Sequence, residues 1–194
     1  MPDDTQTLLQ EALAANRRLL FLLCGLPGSG KTTFAKRLAN CLRPVTGVRI
    51  LSTDHFIEME AKRQQRTYNE LFDALIGAAE ARYKRTLRLY LQTVPVIILD
   101  RTHLSAKARA YVTNLARRYA PDRLCIAAVM PGSLDGCLAR NARRLPGRTI
   151  SEADVRSMSL NYEKPDPVRD PGLVVTNPGI CLRAVQPRRR AVPE

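Results

Sequence analysis

Gly25-Leu26-Pro27-Gly28-Ser29-Gly30-Lys31-Thr32-Thr33 sets three glycines, Gly25, Gly28 and Gly30, ahead of a lysine and two hydroxyl side chains. That combination suits phosphate. Glycines leave backbone N–H groups free to converge on phosphate oxygens, a following helix start adds partial positive charge, and the Lys31 ammonium can reach the β- and γ-phosphates of a triphosphate. The Thr32 hydroxyl has the type and position to ligate magnesium. A dinucleotide-binding turn would need Gly-x-Gly-x-x-Gly, which Gly25, Gly28 and Gly30 do not supply. Residues 25–33 therefore predict a binding site for ATP with Mg2+.

Transfer of a phosphoryl group needs a carboxylate to take the proton of the attacking hydroxyl, and cations to balance charge on the group in flight. Asp54, in Leu51-Ser52-Thr53-Asp54, fits that base, and it equally fits a helix-capping aspartate. Asp100 closes Val96-Ile97-Ile98-Leu99-Asp100; it reads either as a Walker-B carboxylate holding a magnesium-bound water or as a strand-end residue bonding nearby backbone. In Leu138-Ala139-Arg140-Asn141-Ala142-Arg143-Arg144, a continuous helix would bring Arg140 and Arg144 to one face, beside a hinge at Gly147. Two such guanidinium groups suit a lid closing on phosphates, and a solvated basic face has the same sequence. With no Asn-Lys-x-Asp guanine-reading segment, a kinase is favoured over a GTPase.

The elements that must position these residues alternate short apolar runs with helical periods, the pattern of parallel βα units. Strands are expected at Leu19–Cys24, Val48–Ser52, Val94–Leu99, Leu124–Met130 and Leu173–Val175. Helices are expected over about Lys31–Leu42, Asn69–Gln92 and Ala106–Tyr119, from a Ser133 cap through Leu134, Cys137 and Leu138 and on along Leu138–Arg144, and from a capping box at Ser151-Glu152-Ala153-Asp154 to about Tyr162. The apolar face of the long helix, Leu71 through Leu91, should pack on the sheet. The fold class is α/β: a three-layer αβα sandwich on a mainly parallel sheet, with a basic helical lid at about 133–162. Gly25, Asp54 and Asp100 should then share the rim at the carboxyl ends of the strands. One domain is expected over 1–180, followed by a basic, flexible tail over 181–194.

Composition narrows the setting. A chain of 194 residues with 45% apolar content fits one sizeable core. The longest apolar stretch, Leu19–Leu26, spans roughly eight residues against the roughly 20 that cross a bilayer, and Met1-Pro2-Asp3-Asp4 is not the basic start of a signal peptide, so no membrane association and a cytoplasmic location are expected. Five cysteines without close pairs suggest neither a disulfide framework nor a zinc site. A net charge of +13 attracts polyanions such as nucleic acid, although an arginine-rich composition alone yields the same surplus.

Gly25 to Thr32, Ser52-Thr53-Asp54, Ile98-Leu99-Asp100-Arg101-Thr102-His103-Leu104 and Arg140 through Arg144 stand in the order found in polynucleotide 5′-hydroxyl kinases. The chain resembles that family, which includes phage and bacterial end-healing kinase domains, from about Leu19 to Pro178. The resemblance implies Asp54 as general base, Arg140 and Arg144 as lid arginines on the ATP phosphates, and a DNA or RNA 5′ end as acceptor. Two departures stand out: Asp54-His55 where many relatives carry Asp-Asp, and Thr102-His103 where they carry Thr-Asn. Both concern the acceptor side rather than base or lid, and each histidine reads as a substrate contact or as a local hydrogen-bonding residue. Zeta-toxin-like and antibiotic- or metabolite-modifying kinases share the same residues, so a small-molecule acceptor is the alternative expectation, with a non-catalytic ATP-binding module behind it.

Overall fold

Leu19–Cys24 (β1) and Val96–Leu99 (β3) hold no charged or hydroxyl side chain and are buried along their whole length, as strands are when helices cover both sheet faces. The computed structural model describes residues 4–185. Strands β2 (Val48–Leu51), β4 (Leu124–Val129) and β5 (Leu173–Thr176) complete a five-stranded sheet of order β2-β3-β1-β4-β5. Every pairing is parallel; Leu19 lies between Val96 and Leu124, so β1 is central. All strands thus end on one rim.

Alternation along β1 divides the core. Leu19, Phe21 and Leu23 face a cluster built with Leu9 and Ala12 of α1 (Asp4–Ala14), Phe34, Leu38 and Leu42 of α2 (Lys31–Leu42), and Cys181 and Ala184 of the last helix (Pro178–Val185). Leu20, Leu22 and Cys24 face Tyr83, Leu87 and Leu91 of α4 (Tyr68–Thr93) and Val112 and Ala116 of α5 (Ala106–Tyr119). The result is the expected αβα sandwich.

Three expectations are corrected. Only the second half of α4 packs on the sheet; Leu71 and Ala79 of its first half pair with Ile57 and Ala61 of α3 (Thr53–Arg63), forming a small separate core. The segment 181–185 is the end of α8 (Pro178–Val185), with Cys181 and Ala184 buried, so it belongs to the packed fold and not to a tail; residues 186–194 lie outside the described residues. The complete capping box is Thr67 with Glu70 at the start of α4. At Ser151 the hydroxyl accepts from Asp154 N, but the Asp154 carboxylate bonds that hydroxyl rather than the backbone N–H. The lid elements are α6 (Leu134–Ala142) and α7 (Glu152–Leu160). Among the described residues no helix is long and apolar enough to cross a membrane.

Candidate active site

Residues 25–30 turn from β1 into α2, and Gly30 enters the helix in a left-handed conformation. Gly28 has φ +80, and a Cβ there would meet the Cys137 carbonyl oxygen at 2.3 Å, so the loop and α6 approach as only glycine permits. The Lys31 ammonium curls back over the loop, donating to the carbonyls of Gly25 at 2.9 Å and Leu26 at 2.7 Å. Burial pushes its pKa down to about 8, with the nearby Arg144 guanidinium acting in the same direction and Asp100 opposing both. Thr32 and Thr33 are exposed in the first turn of α2.

The rim gathers the carboxylates as expected. Asp100 follows β3 and donates its N–H to the Leu51 carbonyl at 2.9 Å, which ties the ends of β2 and β3 together. Burial raises the pKa of its carboxyl, against the Thr32 hydroxyl bonded to it and the Lys31 charge beside it. Thr32 and Asp100, the pair assigned to magnesium, therefore meet. Among the described residues no cluster of three or more His, Cys, Asp or Glu could cage a metal. One hydroxyl and one carboxylate nevertheless fit Mg2+, which keeps most of its waters and relies on substrate phosphates for other ligands.

Asp54 lies in the first turn of α3, exposed, while Ser52 occupies the N-cap position, so the capping alternative is not what its side chain does. Its Oδ1 accepts a hydrogen bond of 3.0 Å from the hydroxyl of Tyr68, at the start of α4. Burial and the Asp54 carboxylate both push the Tyr68 hydroxyl up, which keeps it a donor. Asp54 is close enough to contribute to the electrostatics of both Lys31 and Asp100.

The lid arginines do not share one helix face. Helix α6 ends at Ala142, so Arg144 lies beyond it, where its charge is felt by Lys31. Arg140 remains helical and donates from Nε to the Gly28 carbonyl at 2.5 Å, pinning α6 onto the phosphate loop. Buried Asn141 closes the loop between α6 and α7 by bonding both backbone groups of Ile150. The tip of that loop reaches across the rim: Asn69 N donates to Gly147 O at 2.9 Å, Asn69 Nδ2 to Thr149 O at 3.2 Å, and Arg148 pairs with Glu58 of α3. A Cβ on Gly147, at φ +75, would lie 2.5 Å from Thr67 Cβ.

Behind the rim, His103 is buried at φ +42 and its Nδ1 lies 3.0 Å from Leu23 O, so that nitrogen carries the proton. Burial holds its pKa at about 4, leaving the ring neutral. It is a local hydrogen-bonding residue, whereas His55 is exposed with its ring tilted against Phe56. Thr102 accepts from Gly25 N at 3.0 Å through its carbonyl. Arg109, buried, forks onto both oxygens of Asp170 at 2.8 and 2.9 Å and donates from Nη1 to the carbonyls of His103, Leu104 and Glu163. Sequence reasoning missed Tyr68, Asn69, Asn141 and Arg109. Only the Thr67-x-x-Glu70 spacing pointed locally to where α4 begins.

Comparison with known proteins bears on this geometry. A shikimate kinase from Corynebacterium jeikeium (strain K411) is 44% identical over 54 residues, which cover 28% of this chain and 25% of that protein, so the chain spans a quarter of that curated relative's length. Among solved structures, Kti12 of Chaetomium thermophilum in complex with ADP-AlF3 superposes with a TM-score of 0.59 at 18% identity, covering 86% of this chain and 95% of that one. A candidate kinase from Chloroflexus aurantiacus j-10-fl gives a TM-score of 0.61 at 20% identity over 84% and 88% of the two chains. Those two likenesses concern the fold. Residues 20–165, from the second residue of β1 past the end of the lid, match the family described as AAA domain, and the chain belongs to that family as a P-loop kinase-like domain.

Proposed function

We propose that this chain transfers the γ-phosphoryl group of ATP to a hydroxyl held against Asp54, and that this hydroxyl is the 5′ end of a nucleic acid. The observation that carries the reading is the meeting, on one rim, of Lys31 on the phosphate loop, the Thr32–Asp100 pair, Arg144 and an exposed Asp54 aimed by Tyr68. Thr32 and Asp100 would hold magnesium, which would supply charge neutralisation on the phosphates. Asp54 takes the hydroxyl proton as its oxygen bonds the γ-phosphorus, and the bond from that phosphorus to the β–γ bridging oxygen breaks to release ADP. Lys31 and Arg144 balance charge on the group in flight, while Arg140 holds α6 on the loop. The +13 charge supports a polyanionic acceptor.

The match to a shikimate kinase favours, as second reading, a small hydroxylated metabolite as acceptor. Both are tested by transfer of labelled γ-phosphate to 5′-hydroxyl DNA and RNA oligonucleotides, with 5′-phosphorylated copies and shikimate alongside. Label confined to free 5′-hydroxyl ends is the expected result; label on shikimate alone would replace the first reading with the second.

Two further outcomes follow from the geometry. Tyr68→Phe removes the donor to Asp54 and keeps the ring on Phe72. It should lower transfer about tenfold, the worth of one hydrogen bond to a charged acceptor, with ATP affinity unchanged. An equal loss of ATP affinity would show that Tyr68 acts on folding of the site instead.

The second concerns Lys31. Its folded pKa of about 8 lies below the ordinary lysine value of 10.5, so the protein alone binds fewer protons folded than unfolded between those values, and this residue makes stability rise with pH there. Bound phosphates favour the charged ammonium. ATP binding above pH 8 should therefore take up a proton and weaken with rising pH, as calorimetry in buffers of different ionisation enthalpy would register. No uptake at pH 8.5 would show that Lys31 is fully charged before ATP arrives.

A further inference from the structure

Between Ala81 and Pro121 the chain carries nine lysines and arginines and a single acid, Asp100. Arg101 and Arg109 are committed to Glu80 and Asp170. The others are exposed on α4 and α5 and join no ion pair among the described residues. Their placement is ordered. Lys107, Tyr111, Asn114 and Arg118 recur at steps of four, three and four, which is one stripe of α5, opposite the buried Arg109, Val112 and Ala116. On α4, Lys84 and Arg88 stand one turn apart, and Lys84 Nζ lies 5.8 Å from the centre of the Tyr111 ring, which joins the two helices into one surface. Tyr111 keeps 40% of its surface exposed and Leu89 56%. Beside this face Glu80 is engaged by Arg101 and Glu163 by the Ala106 N–H, while Asp73 of α4 lies about three turns before Lys84.

Direction matters as much as charge. Helix α5 begins just past Asp100, on the rim where the strands end, and runs back along the sheet to the start of β4. From Lys107 to Arg118 the stripe extends about 16 Å away from that rim. A small acceptor held at Asp54 has no use for cations spread over such a distance. A polymer whose end is held there does.

We propose that the α4–α5 face is a track for the single-stranded body of a nucleic-acid acceptor, with phosphates on Lys84, Arg88, Lys107 and Arg118 and a base stacked on Tyr111. This rests on the reading of the site as a 5′-hydroxyl kinase and gives that reading its preference for a polymer. An acidic protein segment or an anionic surface would meet the same cations, but only a nucleic acid carries a flat ring beside every phosphate to stack on Tyr111.

The test is fluorescence anisotropy with 3′-labelled, 5′-hydroxyl single strands of four and sixteen nucleotides at several salt concentrations. Wild type should bind the longer strand at least about tenfold more tightly. The K84A/K107A/R118A variant should lose that advantage and flatten the slope of log K against log salt by about 2, since each neutralised phosphate contributes about 0.7. Tyr111→Ala should weaken binding about tenfold at an unchanged slope. Equal affinity of wild type for both lengths would overturn the track, as would an unaltered affinity in Tyr111→Ala, which marks general polyanion attraction. Transfer of labelled phosphate to the strands is scored separately. Wild type that binds the longer strand through these residues yet phosphorylates neither length would defeat the kinase reading and leave the track standing.

Discussion

Asp54→Asn is expected to lower phosphoryl transfer by a factor of about 10²–10⁴ while the Kd for ATP stays within about twofold. The amide keeps the shape of the carboxylate and an oxygen to accept from Tyr68, whose hydroxyl lies 3.0 Å from Asp54 Oδ1. It cannot take a proton. Asp54 belongs to α3 and not to the loop whose N–H groups and Lys31 would hold the nucleotide, so transfer should fall far more than binding. Initial rates at saturating acceptor, with calorimetric ATP affinity on the same preparations, decide the matter. A variant that transfers at close to the wild-type rate removes Asp54 as the base.

Arg109→Met is expected to cost about 3–5 kcal/mol of folding stability, a fall in Tm of about 6–20 °C in a chain of this size. The guanidinium and Asp170 are both buried, at 2.8 Å, and removing one leaves the other an uncompensated charge. The same guanidinium satisfies carbonyls at His103, Leu104 and Glu163, in the segments that flank α5 and follow α7. A second variant, R109M/D170L, removes both charges and should recover part of the loss but not all, because those carbonyls stay unpaired. Urea denaturation of wild type, single and double variants would measure this. A single variant within about 1 kcal/mol of wild type would show that water enters and replaces the arginine.

What was legible in the sequence is what local pattern encodes. The loop at 25–33, the buried runs of β1, β3 and β4, and the serine that caps α6 through Gly136 N all follow from neighbours a few residues apart. Helix α3 escaped because its apolar face, Ile57 and Ala61, is short and meets only α4. Helix α8 escaped because a basic terminal segment follows it, although Ile180, Cys181 and Ala184 already mark a buried face. The Arg109–Asp170 pair spans 61 residues, and no spacing rule reaches that far. The basic period puts Arg144 on the helix of Arg140, but α6 stops at Ala142, and the pattern does not encode where the chain turns. His103 has the opposite lesson. Its φ of +42 is a left-handed position that histidine and asparagine tolerate better than most residues, so the residue at 103 serves the backbone turn as well as the bond to Leu23.

The tip of the lid is fastened to the hairpin of α3 and α4, which also carries Asp54 and Tyr68. Asn69 grips Gly147 and Thr149, Thr67 packs under Gly147, and Arg148 meets Glu58. Arg140, at the other end of the same lid, holds the phosphate loop. One clasp therefore spans the phosphate loop and the Asp54 side, so in the proposed transfer both products would leave through a door that opens as a unit, and slow turnover in a protein with a tightened clasp would report on release rather than on chemistry.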